Sequence, residues 1–153
     1  MKALFTVLAV ALLAVACGSV PAAIAPPSPS QAQLGAQYLA LVAPSNAADD
    51  SLNAALKITP FDGPRIRAAA TNYRASEGAF NSALFAFEKK VPANVQADVE
   101  AARHVLSADI SNLYDVVNST DDASLKAALA AWPALSNAPF VQLRSDLGLP
   151  LAT

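Results

Sequence analysis

Seven apolar side chains, Val95, Val99, Ala102, Leu106, Ile110, Leu113 and Val117, return every three or four residues with neither proline nor glycine between them. That spacing lines one face of an α-helix and would be scattered over both faces of a strand. It commits the stretch to an amphipathic helix that must bury one side against partners. Asp98 and Glu100 near its start suit the positive end of the helix dipole. Upstream, over residues 31–58, Leu34, Tyr38, Leu41, Ala48, Leu52 and Ala55 keep the same phase across Pro44. The pattern predicts one helix kinked where proline forfeits the bond to the Ala40 carbonyl, with a break at Ser45 or Asn46 as the alternative. Ile66, Tyr73, Phe80 and Phe87 recur every seven residues with Ala70, Leu84 and Val91 alongside, behind an Asp62 cap and Pro64. Lys89 and Lys90 suit the negative end of that second helix.

After a turn at residues 118–122, Ser119 is expected to cap a fourth helix, Asp122 reaching back to it, with Leu125, Leu129 and Trp132 on the buried face. Pro133 and Pro139 interrupt the pattern, and a short last helix is expected from Pro139 to Leu147, stopped by Gly148 and Pro150. No strand pattern competes. Hydrophobic residues make up 54% of the chain, and much of that share is alanine, which favours helices and close helix contact. The expected fold is all-α: an antiparallel up-down bundle of about four helices with a short C-terminal helix, over residues 31–153.

The N-terminus carries a different message. Lys2, the apolar stretch 3–16 and the small residues Ala14, Val15 and Ala16 before Cys17 read as a signal peptide, 1–16, ending in a lipobox. The thiol of Cys17 would accept diacylglycerol and palmitate would follow on its amine, anchoring the chain to a membrane. Leu13 stands one place earlier than the lipobox leucine usually does, where this chain has Ala14. Two alternatives are an uncleaved spanning segment, which needs about 20 apolar residues where this run stops at Gly18, and an ordinary signal peptide releasing a soluble protein. Residues 17–30, rich in proline, alanine and serine and without charge, read as a tether. Ser28 and Ser30 are candidates for glycosylation there. Cys17 being the one cysteine, no internal disulfide can form, and a net charge of -2 gives no basic footprint for nucleic acid.

Chemical signatures are sparse. His104, the one histidine, follows Glu100 by four residues, too few ligands for a metal site and best read as a surface pair. No serine sits in a Gly-x-Ser-x-Gly elbow and no glycine loop could cradle phosphate. No metal or cofactor is expected, and the reading is non-enzymatic. Glu77 is the local inconsistency, standing between Ala70 and Leu84 where the seam asks for an apolar residue. The expectation is that it reaches the boundary and pairs with Arg74, Arg103 or His104; the alternative is a site residue. Tyr73, Phe80, Leu84 and Trp132, together with Glu77, are the candidate lining of a ligand pocket, against the simpler reading of the aromatic stripe as core. Phe85 falls on the polar face with Arg74, Gly78, Asn81 and Glu88, either covered by the first helix or part of a contact surface.

The lipobox at Cys17, the segment Tyr-Leu-Ala-Leu-Val-Ala-Pro-Ser-Asn-Ala-Ala at 38–48 and the ending Val-Gln-Leu-Arg-Ser-Asp-Leu-Gly-Leu-Pro at 141–150 resemble a group of small actinobacterial lipoproteins with a helical body. The resemblance implies a lipid anchor on the extracytoplasmic face of the cell membrane, and no catalytic residues come with it. The function expected is a non-enzymatic interaction module of the cell envelope, with another envelope protein or the wall as partner. The alternative is a carrier of a small apolar ligand in the bundle core. A further variant is a phage-encoded lipoprotein that excludes competitors from the host surface.

Overall fold

The computed structural model describes residues 28–150; the expected signal peptide, Cys17 and most of the expected tether lie outside them. Among the described residues the chain forms five helices: α1 (Gln31–Leu56), α2 (Gly63–Glu88), α3 (Ala93–Asn118), α4 (Asp122–Ala131) and α5 (Ala138–Asp146). The fold is all-α, as the periodicity predicted.

Local chemistry sets the boundaries. Ser30 accepts a hydrogen bond from the Gln33 amide while the Gln33 side chain accepts one from the Ser30 amide, so α1 opens on a reciprocal cap. The helix then runs through Pro44 without a break at Ser45 or Asn46. Asp62 caps α2 by accepting from the Arg65 amide at 3.1 Å, with Pro64 in the first turn. The start of α4 corrects the sequence reading. Ser119 closes α3, its hydroxyl donating to the Val116 carbonyl at 2.8 Å, and the cap is Asp121, paired reciprocally with Ser124. Both residues are good caps, but only Asp121 has a hydroxyl three residues on to return the bond. The C-terminal stop follows expectation: Gly148 takes φ +68, its amide donates to the Ser145 carbonyl and the Leu149 amide to Arg144, closing a Schellman motif that a residue with a Cβ would strain.

The three long helices, of 26 residues each, share one seam pattern. Leu34, Tyr38, Leu41, Ser45, Ala48, Leu52 and Ala55 in α1, Ile66, Ala70, Tyr73, Glu77, Phe80, Leu84 and Phe87 in α2, and Val95, Val99, Ala102, Leu106, Asp109, Leu113 and Val116 in α3 alternate steps of four and three. All but the half-buried Leu41 and Tyr73 are buried. This is the strict heptad spacing of helices packed knobs-into-holes. On α3 it differs from the reading above, which followed the apolar side chains to Ile110 and Val117; those two are half-buried and Asp109 and Val116 occupy the seam.

The central helix, α2, packs on α1 and on α3, and the short helices complete the fourth column. α4 lies at one end, where Leu125 joins Leu52, Ala55, Ile66, Ala70, Leu113 and Val116 in one apolar cluster. α5 continues to the other end, where Leu143 and Leu147 join Leu34, Phe87, Val91 and Val95 in a second. There the Gln31 side-chain amide donates to the Asp146 carbonyl at 2.9 Å, fixing the end of α5 beside the start of α1. The result is an up-down-up-down bundle whose fourth column is broken between Ala131 and Ala138. Pro133 disfavours a helical Trp132, and Pro139 fits the first turn of α5.

A candidate site at the break in the fourth column

Among the described residues three buried ones are polar, Ser45, Glu77 and Asp109, one from each long helix, and all occupy seam positions near mid-height. They form a polar layer between the two apolar clusters. Tyr73, one turn from Glu77 on α2, donates its hydroxyl to Glu77 Oε1 at 2.9 Å and lies 3.3 Å from Asp109 Oδ2. Trp132, the first residue of the broken segment, turns its indole inward and donates to Asp109 Oδ1 at 2.7 Å, its ring 6.4 Å from that of Tyr73. Both oxygens of Asp109 are thereby engaged. Glu77 is not so well served, for Oε2 is buried without a hydrogen-bond partner.

Electrostatics follow from that crowding. Burial first, and then the negative charge of Asp109, pushes the Glu77 carboxyl up to about 8, with the Tyr73 hydrogen bond opposing. Asp49 on α1 is raised as well, by burial and by neighbouring Asp50. The phenol of Tyr73 is driven far above its ordinary value by burial and by Glu77, so it stays a donor. Near neutral pH, Glu77 therefore holds a proton in the closed bundle.

The missing helical turn leaves this layer reachable. Two open clefts, of about 220 Å³ and about 140 Å³, share Tyr73, Glu77, Leu106 and Phe140 in their walls. The larger adds Tyr38, Ser45, Asp49, Phe80 and Arg144; the smaller adds Asp109 and the rim residues Leu135, Ser136 and Asn137. Phe140, half-buried at the start of α5, belongs to both. A separate groove of about 380 Å³ runs between α1 and α2 along Ala40, Leu41, Ala83 and Ala86, with apolar walls apart from Gln37 and Lys90.

Of the residues singled out from sequence, Tyr73, Glu77 and Trp132 come together in the polar layer and Phe80 borders the larger cleft. Leu84 does not join them: it is fully buried in the cluster below and lines neither cleft. The expected boundary pairing of Glu77 does not occur. Arg74 donates to the Ile110 carbonyl, Arg103 pairs with Glu88 at 3.0 Å, and His104 sits exposed 3.8 Å from Glu100. Phe85 is not covered by α1; it is 51% exposed, between the cations of Lys89 and Arg103. Asp109, Ser45, Asp49 and Arg144 were not anticipated as site residues. The strict heptad could have found Ser45 and Asp109, since it places both in the seam. Among the described residues no group of three or more His, Cys, Asp or Glu side chains is arranged to hold a metal ion.

No protein-family model, curated protein or solved structure matches the chain. The site has to be read from its own geometry.

Proposed function

We propose that the chain is a non-enzymatic binding lipoprotein of the cell envelope, anchored through Cys17 on the extracytoplasmic face of the membrane, which meets its partner or ligand at the break in its fourth column. One observation carries the reading: Glu77 Oε2, buried and unpartnered, stands in the wall of an open cleft. An unpaired polar atom in a native interior calls for an explanation, and an exchangeable occupant supplies one. The non-enzymatic part rests on the sequence, in which no serine sits in a Gly-x-Ser-x-Gly elbow and no glycine loop could cradle phosphate. The anchor rests on the lipobox and on the proline-rich segment that leads to the capped start of α1.

The apolar-ligand carrier draws support from a different place than sequence suggested. The α1/α2 groove, not the polar cleft, has the lining that such a ligand needs. Native mass spectrometry of the protein gently extracted from host membranes tests both parts. A diacylglycerol-bearing Cys17 that is lost with unprocessed precursor in Cys17→Ala supports the anchor. A further mass retained by the wild type and absent from Glu77→Gln supports the cleft; identical body masses in the two, with nothing retained, count against it.

A further inference from the structure

The chemistry of the cleft narrows what it would hold. Oε1 accepts from the Tyr73 hydroxyl, which leaves Oε2 to carry the Glu77 proton while the cleft is empty and to accept from an occupant once that proton has left. The groups around Glu77 come from several helices: Asp49 and Ser45 on α1, Tyr73 on α2, Asp109 on α3 and Arg144 on α5, with the Trp132 indole held on Asp109. Two of the Arg144 donors, Nε and Nη2, are taken by the Pro150 carbonyl at 3.0 and 2.7 Å. Asp49 and Glu77 line the larger cleft and Asp109 the smaller, against one partly engaged cation. A neutral hydroxyl could reach Oε2 but would form no charge-assisted bond there. A positive donor takes the place of the Glu77 proton at that oxygen, and charge-assisted hydrogen bonds are the stronger kind. Tyr38, Tyr73, Phe80 and Phe140 supply aromatic walls, which attract a cation and cover methylenes. A volume of about 220 Å³ is smaller than drug-sized sites, which begin at roughly 300 Å³, so the occupant is small.

We propose that the larger cleft binds a primary ammonium group carried on a small aliphatic molecule, with Glu77 Oε2 as the inner acceptor and Asp49 as the outer one. The inference rests on the cleft being the binding site, as argued above, and is independent of the anchor. No bond to carbon is made or broken. Because the empty cleft holds Glu77 protonated, entry of an ammonium expels that proton to solvent, and the pair left behind is carboxylate and ammonium.

The test uses the full lipidated chain in detergent micelles, with 1,4-diaminobutane as probe and 1,4-butanediol as the neutral control of equal length. The diamine is expected to bind one to one, to raise the melting temperature with dose, and to release up to one proton, seen as a calorimetric heat that differs between Tris and phosphate buffers. Glu77→Gln is expected to weaken binding by about tenfold or more and to abolish the proton release. Asp49→Asn, at the outer side of the cleft, is expected to weaken binding while keeping the proton release. Equal binding of butanediol, unchanged diamine affinity in Glu77→Gln, or no binding at millimolar diamine would each overturn the proposal. A wild-type protein that retains a host molecule lost in Glu77→Gln yet ignores the diamine overturns the ammonium and leaves the cleft. Absence of lipid on Cys17 overturns only the anchor.

Discussion

The apolar cluster around Leu84 and the polar layer around Glu77 lie two turns apart on α2, at equivalent seam positions, yet they solve opposite problems. In the first, Tyr38, Phe80, Phe87, Val99 and Leu106 enclose Leu84, and the ring centroids of Tyr38 and Phe80 stand 6.1 Å apart. The Tyr38 hydroxyl apart, the side chains there are apolar, and close packing does the stabilising. In the second, burial by itself is unfavourable, and hydrogen bonds from other residues offset part of it: Tyr73 for Glu77, Trp132 for Asp109. The fourth column differs in step. It is helical over both apolar clusters and irregular over the polar layer, where Trp132 leaves the helix and its indole reaches Asp109. What the contrast teaches is that the break belongs with the polar residues beneath it, since an unbroken helix of small residues would offer Asp109 no indole donor.

That contrast can be broken from either side. The largest effect is expected in the apolar half: Leu84→Ala should cost about 4 kcal/mol, the loss of a fully buried side chain plus the cavity it leaves. Chemical denaturation would show it as a lower midpoint with an unchanged slope. Asp109→Ala should cost about 3 kcal/mol, because it strands the Trp132 indole and removes a partner of Tyr73 in a buried place. Its distinguishing mark would be altered Trp132 fluorescence in the folded state, which Leu84→Ala should leave alone.

Glu77→Gln sharpens the comparison through pH. In the fold Glu77 titrates at about 8, above the ordinary 4.5, so between these values the folded chain keeps a proton that the unfolded chain has released. The contribution of Glu77 to stability therefore falls as pH rises from about 4.5 to about 8, and then levels off. The glutamine variant lacks that contribution. Thermal melts of the two should lie closest at pH 4 and separate progressively toward pH 9, with Glu77→Gln the more stable; a constant gap would show that Glu77 does not titrate in this range. The smallest effect belongs to Asp121→Ala, about 1 kcal/mol from the lost cap of α4. Hydrogen exchange should report it as faster exchange in α4 and unchanged protection of α2.

The sequence disclosed the bundle far better than the site, for a physical reason. Apolar periodicity names helices and faces, and it placed α1, α2, α3 and the stop at Gly148 within a few residues. It failed where side-chain identity outweighed position. Ile110 looked like the next seam residue because it is apolar, whereas the heptad count from Val95 reaches Asp109. Glu77 was recognised as out of place, but its partners, Tyr73 excepted, sit on other helices, and no spacing along one chain shows a contact between Trp132 and Asp109. The cap of α4 was misplaced by two residues because Ser119 and Asp121 are both competent and their difference lies three residues downstream. Leu84 was assigned to a pocket through its company on the helical wheel; depth along the bundle axis, which periodicity does not measure, separates it from Glu77.

The bond from Gln31 to Asp146 has one more consequence. Residues entering the bundle before α1 and leaving it after α5 do so side by side, at the end away from the 57–62 and 119–121 turns. If the leader of α1 is a leash, a reporter fused after residue 153 would be crowded against the membrane surface, while one inserted in the 57–62 turn would stand at the far pole. Fluorescence quenching by a lipid-borne acceptor should therefore grade the two ends as near and far, and leave the opening at Ser136 in between.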